Sequence, residues 1–128
     1  MTEHKPKLLV VDDEAAIGQI LKAGLEMHGF TVRYEPHSTD TIQTCLEFHP
    51  DIVLLDVDMP VKDGGDVAAE LRSHPTLWRI PVIFLTSLAS KEKTPPRKDF
   101  CELFLSKQLS ITELVARIHA GLPPPTAH

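Results

Sequence analysis

Five side chains in this sequence stand at or just past the ends of apolar runs, where they could do chemistry together. Asp12 and Asp13 follow Leu8-Leu9-Val10-Val11, and Asp56 follows Ile52-Val53-Leu54-Leu55. Thr86 follows Pro81-Val82-Ile83-Phe84-Leu85, and Lys107 comes just after Leu103-Phe104-Leu105. Three carboxylates gathered within a few ångströms repel one another, so they either hold protons with raised pKa values or recruit a hard cation. Carboxylate and carbonyl oxygens suit Mg²⁺, which keeps water or phosphate oxygens in its remaining positions. A lysine and a threonine hydroxyl beside such an ion are groups that bind phosphoryl oxygens. The set therefore reads as Mg²⁺-assisted phosphoryl transfer with one aspartate as nucleophile.

Each residue alone has a plainer reading. Asp12 or Asp13 could N-cap the next helix, Thr86 could be a turn hydroxyl, and Lys107 a solvated charge. Asp56 is harder to dismiss, because a carboxylate directly after Leu54-Leu55 needs a partner or a task. Four strand ends carrying one compatible set of groups is more than chance placement gives.

The elements that must position these groups follow from periodicity. Lys7–Val11, Ile52–Leu55 and Pro81–Leu85 are continuous apolar runs, as expected of strands buried on both faces. Thr31–Tyr34 alternates and reads as a strand with one wetter face, at an edge. Leu103–Leu105 is a short last strand. Between them, Ile17, Ile20, Leu21 and Leu25 recur at helical spacing up to Gly29. Ser38–His49 carries Ile42, Cys45 and Leu46 on one stripe, and Asp66–Ser73 carries Val67 and Leu71 before Pro75. Ser110-Ile111-Thr112-Glu113 fits a capping box that opens a helix with Leu114, Val115 and Ile118, stopped by Gly121. The segment Ala89–Asp99 contains Pro95-Pro96 and lacks an apolar face, so it predicts a short or irregular fourth helix.

Five strand–helix units predict an α/β fold: a doubly wound five-stranded parallel sheet, order 2-1-3-4-5, with helices on both faces. In that order strands 1, 3, 4 and 5 are neighbours, and the polar groups meet at one edge. That edge, at the switch between strands 1 and 3, is where open α/β sheets bind ligands.

Composition bounds the alternatives. The 128 residues are 42% hydrophobic, enough for one domain with a real core. Lys+Arg 13 against Asp+Glu 18 gives a net charge of −5, and no basic stripe marks a nucleic-acid surface. No apolar run approaches the roughly 18 residues of a membrane span, and the start MTEHKPKLL lacks a signal-peptide core. Cys45 and Cys101 form no CxxC pair, and the seven histidines fall in no metal-binding pattern. Cys45 is expected in the core. A cytoplasmic domain over residues 1–122 is the expectation, with 123–128 a Pro-rich tail or the start of a linker.

At these residues the chain resembles the receiver domains of bacterial two-component response regulators. Val11-Asp12-Asp13-Glu14 closes the first strand as in that family, and Asp56-Val57-Asp58-Met59-Pro60-Val61-Lys62-Asp63-Gly64 matches its D-x-x-M-P-x-x-D-G signature. Phe84-Leu85-Thr86-Ser87 and Leu105-Ser106-Lys107 match its last two motifs. The resemblance implies a flavodoxin-like receiver fold in which Asp56 accepts a phosphoryl group from a phosphohistidine on a partner. It implies that Asp13, Asp56 and the backbone carbonyl of Asp58 bind Mg²⁺ (or Mn²⁺ in its place), with Asp12 assisting through water. Asp13 should then matter more than Asp12 for the ion. Lys107 would pair with the phosphoryl oxygens, Thr86 would hydrogen-bond them, and Phe104 would be the aromatic switch residue. Plain core packing is the other reading of Phe104.

The implied partners are a sensor histidine kinase or phosphotransfer protein, a downstream effector, and a second copy of the chain as a candidate. The domain would be a regulatory phosphoacceptor rather than a turnover enzyme. The chain departs from the family at Gln108, where proline is usual, and at Phe100-Cys101, where Gly-Ala is usual. A non-proline residue there predicts a trans Lys107–Gln108 bond. Two rivals stand beside this reading. Asp56-Val57-Asp58 after an apolar strand also resembles the haloacid-dehalogenase-like phosphatases, although that family carries DxD on its first strand and lacks the upstream acidic pair. The other rival is a receiver-fold interaction module that works without phosphorylation.

Overall fold

The computed structural model describes residues 5–86, 103–107 and 109–121. The segment Ala89–Asp99, the Lys107–Gln108 bond, Phe100-Cys101 and the 123–128 tail lie outside the described residues.

The elements run β1 (Lys7–Val11), α1 (Ala15–Met27), β2 (Thr31–Glu35), a 3-10 turn (Ser38–Asp40), α2 (Thr41–Phe48), β3 (Ile52–Asp56), α3 (Gly64–Ser73), β4 (Val82–Thr86), β5 (Leu103–Ser106) and α4 (Ile111–Gly121). The sheet has the order β2-β1-β3-β4-β5, with every pair parallel. Register brings the strand ends level: Val11 lies opposite both Glu35 and Leu55, Asp56 opposite Leu85, and Thr86 opposite Ser106.

The continuous apolar runs are explained by burial on two faces. Successive side chains of a strand point to opposite sides. Leu8, Val10, Ile52, Leu54, Ile83 and Leu85 therefore pack with Leu21 and Leu25 of α1 and Leu114 and Ile118 of α4. Leu9, Val11, Val53, Leu55, Val82 and Phe84 pack with Cys45 of α2 and Val67 and Leu71 of α3. β2, at the edge, alternates as its sequence does, with Val32 buried and Thr31 and Arg33 exposed. Cys45 is fully buried, and burial pushes its thiol pKa up to about 12.

Three local expectations need correction. Ile20 is 65% exposed, because the buried stripe of α1 runs through Gly18, Leu21 and Leu25 and leaves position 20 outside it. The second helical stretch opens at Ser38 as a 3-10 turn and becomes α-helical only at Thr41. α3 starts at Gly64 rather than Asp66, since Asp63 is the residue that caps it. The capping box that opens α4 is as expected: Ser110 Oγ accepts from the Glu113 N–H at 3.1 Å, and the Glu113 carboxylate accepts from the Ser110 N–H at 3.3 Å. Among the described residues no helix is long and apolar enough to cross a membrane.

Candidate functional site

Parallel pairing delivers Asp12, Asp56, Thr86 and Lys107 to the carboxyl edge of β1, β3, β4 and β5. Asp56 ends β3 and is 2% exposed; Asp12 follows β1 and is fully buried. Thr86 ends β4, also buried, and its carbonyl accepts the Lys107 N–H at 2.8 Å. That bond carries Lys107 back over the pocket. Its Nζ lies 3.1 Å from Asp56 Oδ1, 2.9 Å from Asp12 Oδ2 and 3.2 Å from Glu14 Oε1.

One ammonium thus faces three carboxylates, and Asp13 adds a fourth acid from its exposed position beside them. The imbalance shows in the titration of Asp56. Burial first, then the negative charge of Asp12, raises its pKa to about 6, against the opposing pull of Lys107 and the Asp58 N–H. Burial alone would lower Lys107, but its hydrogen bonds and charge contacts with Asp12 and Asp56 win and hold its pKa above the ordinary lysine value. At neutral pH Asp56 is still largely a carboxylate, paired with a firmly charged lysine.

The oxygens of Asp12, Asp13 and Asp56 that could take a metal lie within 4.8 Å of one another. Asp12 Oδ1 accepts the Glu14 N–H at 2.9 Å, whereas the buried Oδ2 has the Lys107 ammonium as its partner at 2.9 Å. An all-oxygen donor set with more carboxylates than the one ammonium neutralises fits a hard divalent cation such as Mg²⁺.

The loop after Asp56 explains the spacing of its signature. Asp58 is exposed, and its N–H donates to Asp56 Oδ1 at 3.2 Å. Met59 is buried among Leu55 and Val67 and anchors the loop. Asp63 accepts the Asp66 N–H at 2.9 Å while Asp66 accepts the Asp63 N–H at 3.2 Å, closing the start of α3. Gly64 is required by close approach: a Cβ there would stand 2.6 Å from the Asp56 carbonyl oxygen and 3.0 Å from Val57 Cα.

Sequence reasoning located Asp12, Asp13, Asp56, Asp58, Thr86 and Lys107, and the structure brings them to one edge. Phe104 lies in β5, with its Cα opposite that of Phe84. The capping role weighed for Asp12 and Asp13 is not theirs. The N-cap position of α1 is Glu14, which makes no side-chain capping bond. Glu14 as a third anion on Lys107 was not foreseen, though it stands next to the acidic pair. Nor was Tyr34, whose hydroxyl donates to the Asp12 carbonyl at 2.6 Å. Burial and the charges of Asp12, Asp13 and Glu35 raise the Tyr34 pKa, so the phenol remains a donor. One histidine does join acids, at an exposed turn: Glu35, His37 and Asp40 lie together. The Glu35 oxygens there already accept from Thr44 Oγ1 at 2.6 Å and the His37 N–H at 2.9 Å.

The strand order, with polar groups collected at the switch between β1 and β3, places the chain among doubly wound α/β proteins. Within that class it belongs to the response regulator receiver domain family, whose model matches residues 8–119. The receiver domain of a Francisella response regulator is 28% identical, with 91% of this chain and 95% of that chain covered and a TM-score of 0.79. The BeF3-activated N-terminal receiver domain of Klebsiella pneumoniae RstA is also 28% identical, over 90% of this chain and 97% of that one, with a TM-score of 0.80. The chemotaxis protein CheY4 of Vibrio cholerae, 24% identical, shares the fold over 93% of this chain and 100% of that one at a TM-score of 0.83.

Proposed function

We propose that this receiver domain is the phosphoacceptor of a cytoplasmic two-component phosphorelay, taking a phosphoryl group onto Asp56. The observation that carries the reading is the buried Asp56 carboxylate held 3.1 Å from Lys107 among surplus acids at the sheet's switch point. The donor is a phosphohistidine on a sensor histidine kinase or phosphotransfer protein. An Asp56 oxygen forms the bond to phosphorus as the phosphorus–nitrogen bond breaks, and the imidazole leaves with the electron pair.

Asp13, Asp56 and the backbone carbonyl of Asp58 would hold Mg²⁺, or Mn²⁺, with Asp12 assisting; the bound ion supplies positive charge for the phosphoryl oxygens. Lys107, already poised between Asp12 and Asp56, turns its ammonium to those oxygens, and Thr86 hydrogen-bonds them. Thr86 and Phe104 then relay the change to a surface read by an effector or a second copy of the chain. The domain is modified once per chain and is regulatory rather than a turnover enzyme. A net charge of −5 argues for protein partners over nucleic acid.

The test is intact mass after incubation with acetyl phosphate, with and without Mg²⁺. A gain of one phosphoryl group that requires the cation supports the reading. No gain under any cation condition favours an interaction module that works without phosphorylation.

A further inference from the structure

Tyr34 stands one residue before the end of the edge strand β2, opposite Val10. Its ring crosses α1 at Gly18, where a Cβ would lie 2.5 Å from Tyr34 Cζ and 2.7 Å from Cδ1. Only the missing side chain at position 18 lets the ring through. The hydroxyl beyond it donates to the Asp12 carbonyl at 2.6 Å. The Asp12 N–H donates in turn to the Glu35 carbonyl at 3.3 Å. Two consecutive residues of β2 therefore hold the main chain of Asp12 at its amide and at its carbonyl.

The Asp12 carbonyl and the Asp13 N–H share one planar peptide, so fixing that carbonyl fixes the direction in which Asp13 leaves the strand. Asp12 needs little such help, because its buried carboxylate is held by the Glu14 N–H and Lys107. Asp13 is exposed, and its placement depends on the backbone that carries it. We infer that Tyr34 is a positioning residue of the acidic pocket, acting through the Asp12 carbonyl to aim the Asp13 carboxylate at the cation site. Gly18 is its structural complement. The inference rests on the reading of this pocket as a Mg²⁺-dependent phosphoacceptor.

Tyr34→Phe keeps the ring and removes only the hydroxyl. Mg²⁺ is titrated calorimetrically into the parent and into Tyr34→Phe, and acetyl phosphate labelling is followed across Mg²⁺ concentration. The expected result is a Mg²⁺ dissociation constant raised about threefold to tenfold, the scale of one net hydrogen bond. The labelling rate at saturating Mg²⁺ should stay unchanged. Gly18→Ala, which displaces the ring, should weaken Mg²⁺ in the same direction, and adding Tyr34→Phe to it should cost nothing more. Equal Mg²⁺ affinity in parent and Tyr34→Phe overturns the inference, as does a lower saturating rate at unchanged affinity. A parent that binds Mg²⁺ but takes no label refutes the phosphoacceptor reading and leaves the positioning result standing. A parent that binds no Mg²⁺ refutes both.

Discussion

Two loops bring acids to the same sheet edge, and they draw their support from different places. The turn from β1 to α1 is short, and its acids are not used to cap the helix. Beyond its own bond from the Glu14 N–H to Asp12 Oδ1, it is steadied from outside, by Glu35 and Tyr34 of the edge strand and by Lys107. The loop from β3 to α3 is longer and steadies itself more, although the Ser38 hydroxyl donates to its Pro60 carbonyl at 3.3 Å and its Val57 N–H donates to the Leu85 carbonyl at 3.0 Å. Met59 anchors it, Asp63 and Asp66 cap its helix, Lys62 pairs with Glu70 at 2.6 Å, and Gly64 closes against the Asp56 backbone. A carboxylate oxygen spent on a helix cap is one fewer for a cation. The first loop keeps Asp12 and Asp13 off the helix cap by borrowing support, and the second assigns capping to Asp63 and leaves Asp56 and Asp58 at the sheet edge.

The largest expected effect breaks the self-held loop. Gly64→Ala puts a methyl group against the Asp56 carbonyl, so urea unfolding should show a loss of about 3 kcal/mol. Next comes pH. Asp56 titrates near 6, so protons compete with the cation below that value. Mg²⁺ affinity should rise as pH rises through 6, with roughly a tenfold difference between one unit below and the plateau, read by calorimetry. For the cation-free fold the sign is opposite. The Asp56 pKa goes from 3.8 to about 6 in the fold, so stability should fall as pH rises across that window.

Asp63→Ala removes a working cap and should cost about 1 kcal/mol. Val61 is 89% exposed and held at φ 70, a strained setting for a β-branched residue, so Val61→Gly should stabilise by just under about 1 kcal/mol. Glu14→Ala should change stability least, by about 0.5 kcal/mol or less, since Glu14 caps nothing and its ion pair is exposed on one side. A cost for Glu14→Ala equal to that of Asp63→Ala would erase the contrast between the loops.

The sequence was legible where one short-range rule decided the outcome. Apolar runs such as Val53-Leu54-Leu55 mark strands covered on both faces, and their order places Asp12, Asp56, Thr86 and Lys107 on one edge. Ser110 and Glu113 announced a cap because that interaction is local. Tyr34 was not legible, since its contacts depend on β2 lying beside β1 and on a gap at Gly18 in another element. Ile20 misled because apolar spacing alone does not say which side of α1 meets the sheet. The strain at Val61 left no mark, since a valine there reads as any other.

The most direct test of the central claim is to map the phosphoryl group on the acetyl phosphate-treated protein by peptide mass spectrometry, beside Asp56→Asn. The phosphoacceptor account predicts a single labelled position, Asp56, and no label on the variant. A label on Asp12, Asp13 or Asp58 in the parent, or full labelling of Asp56→Asn, would contradict it.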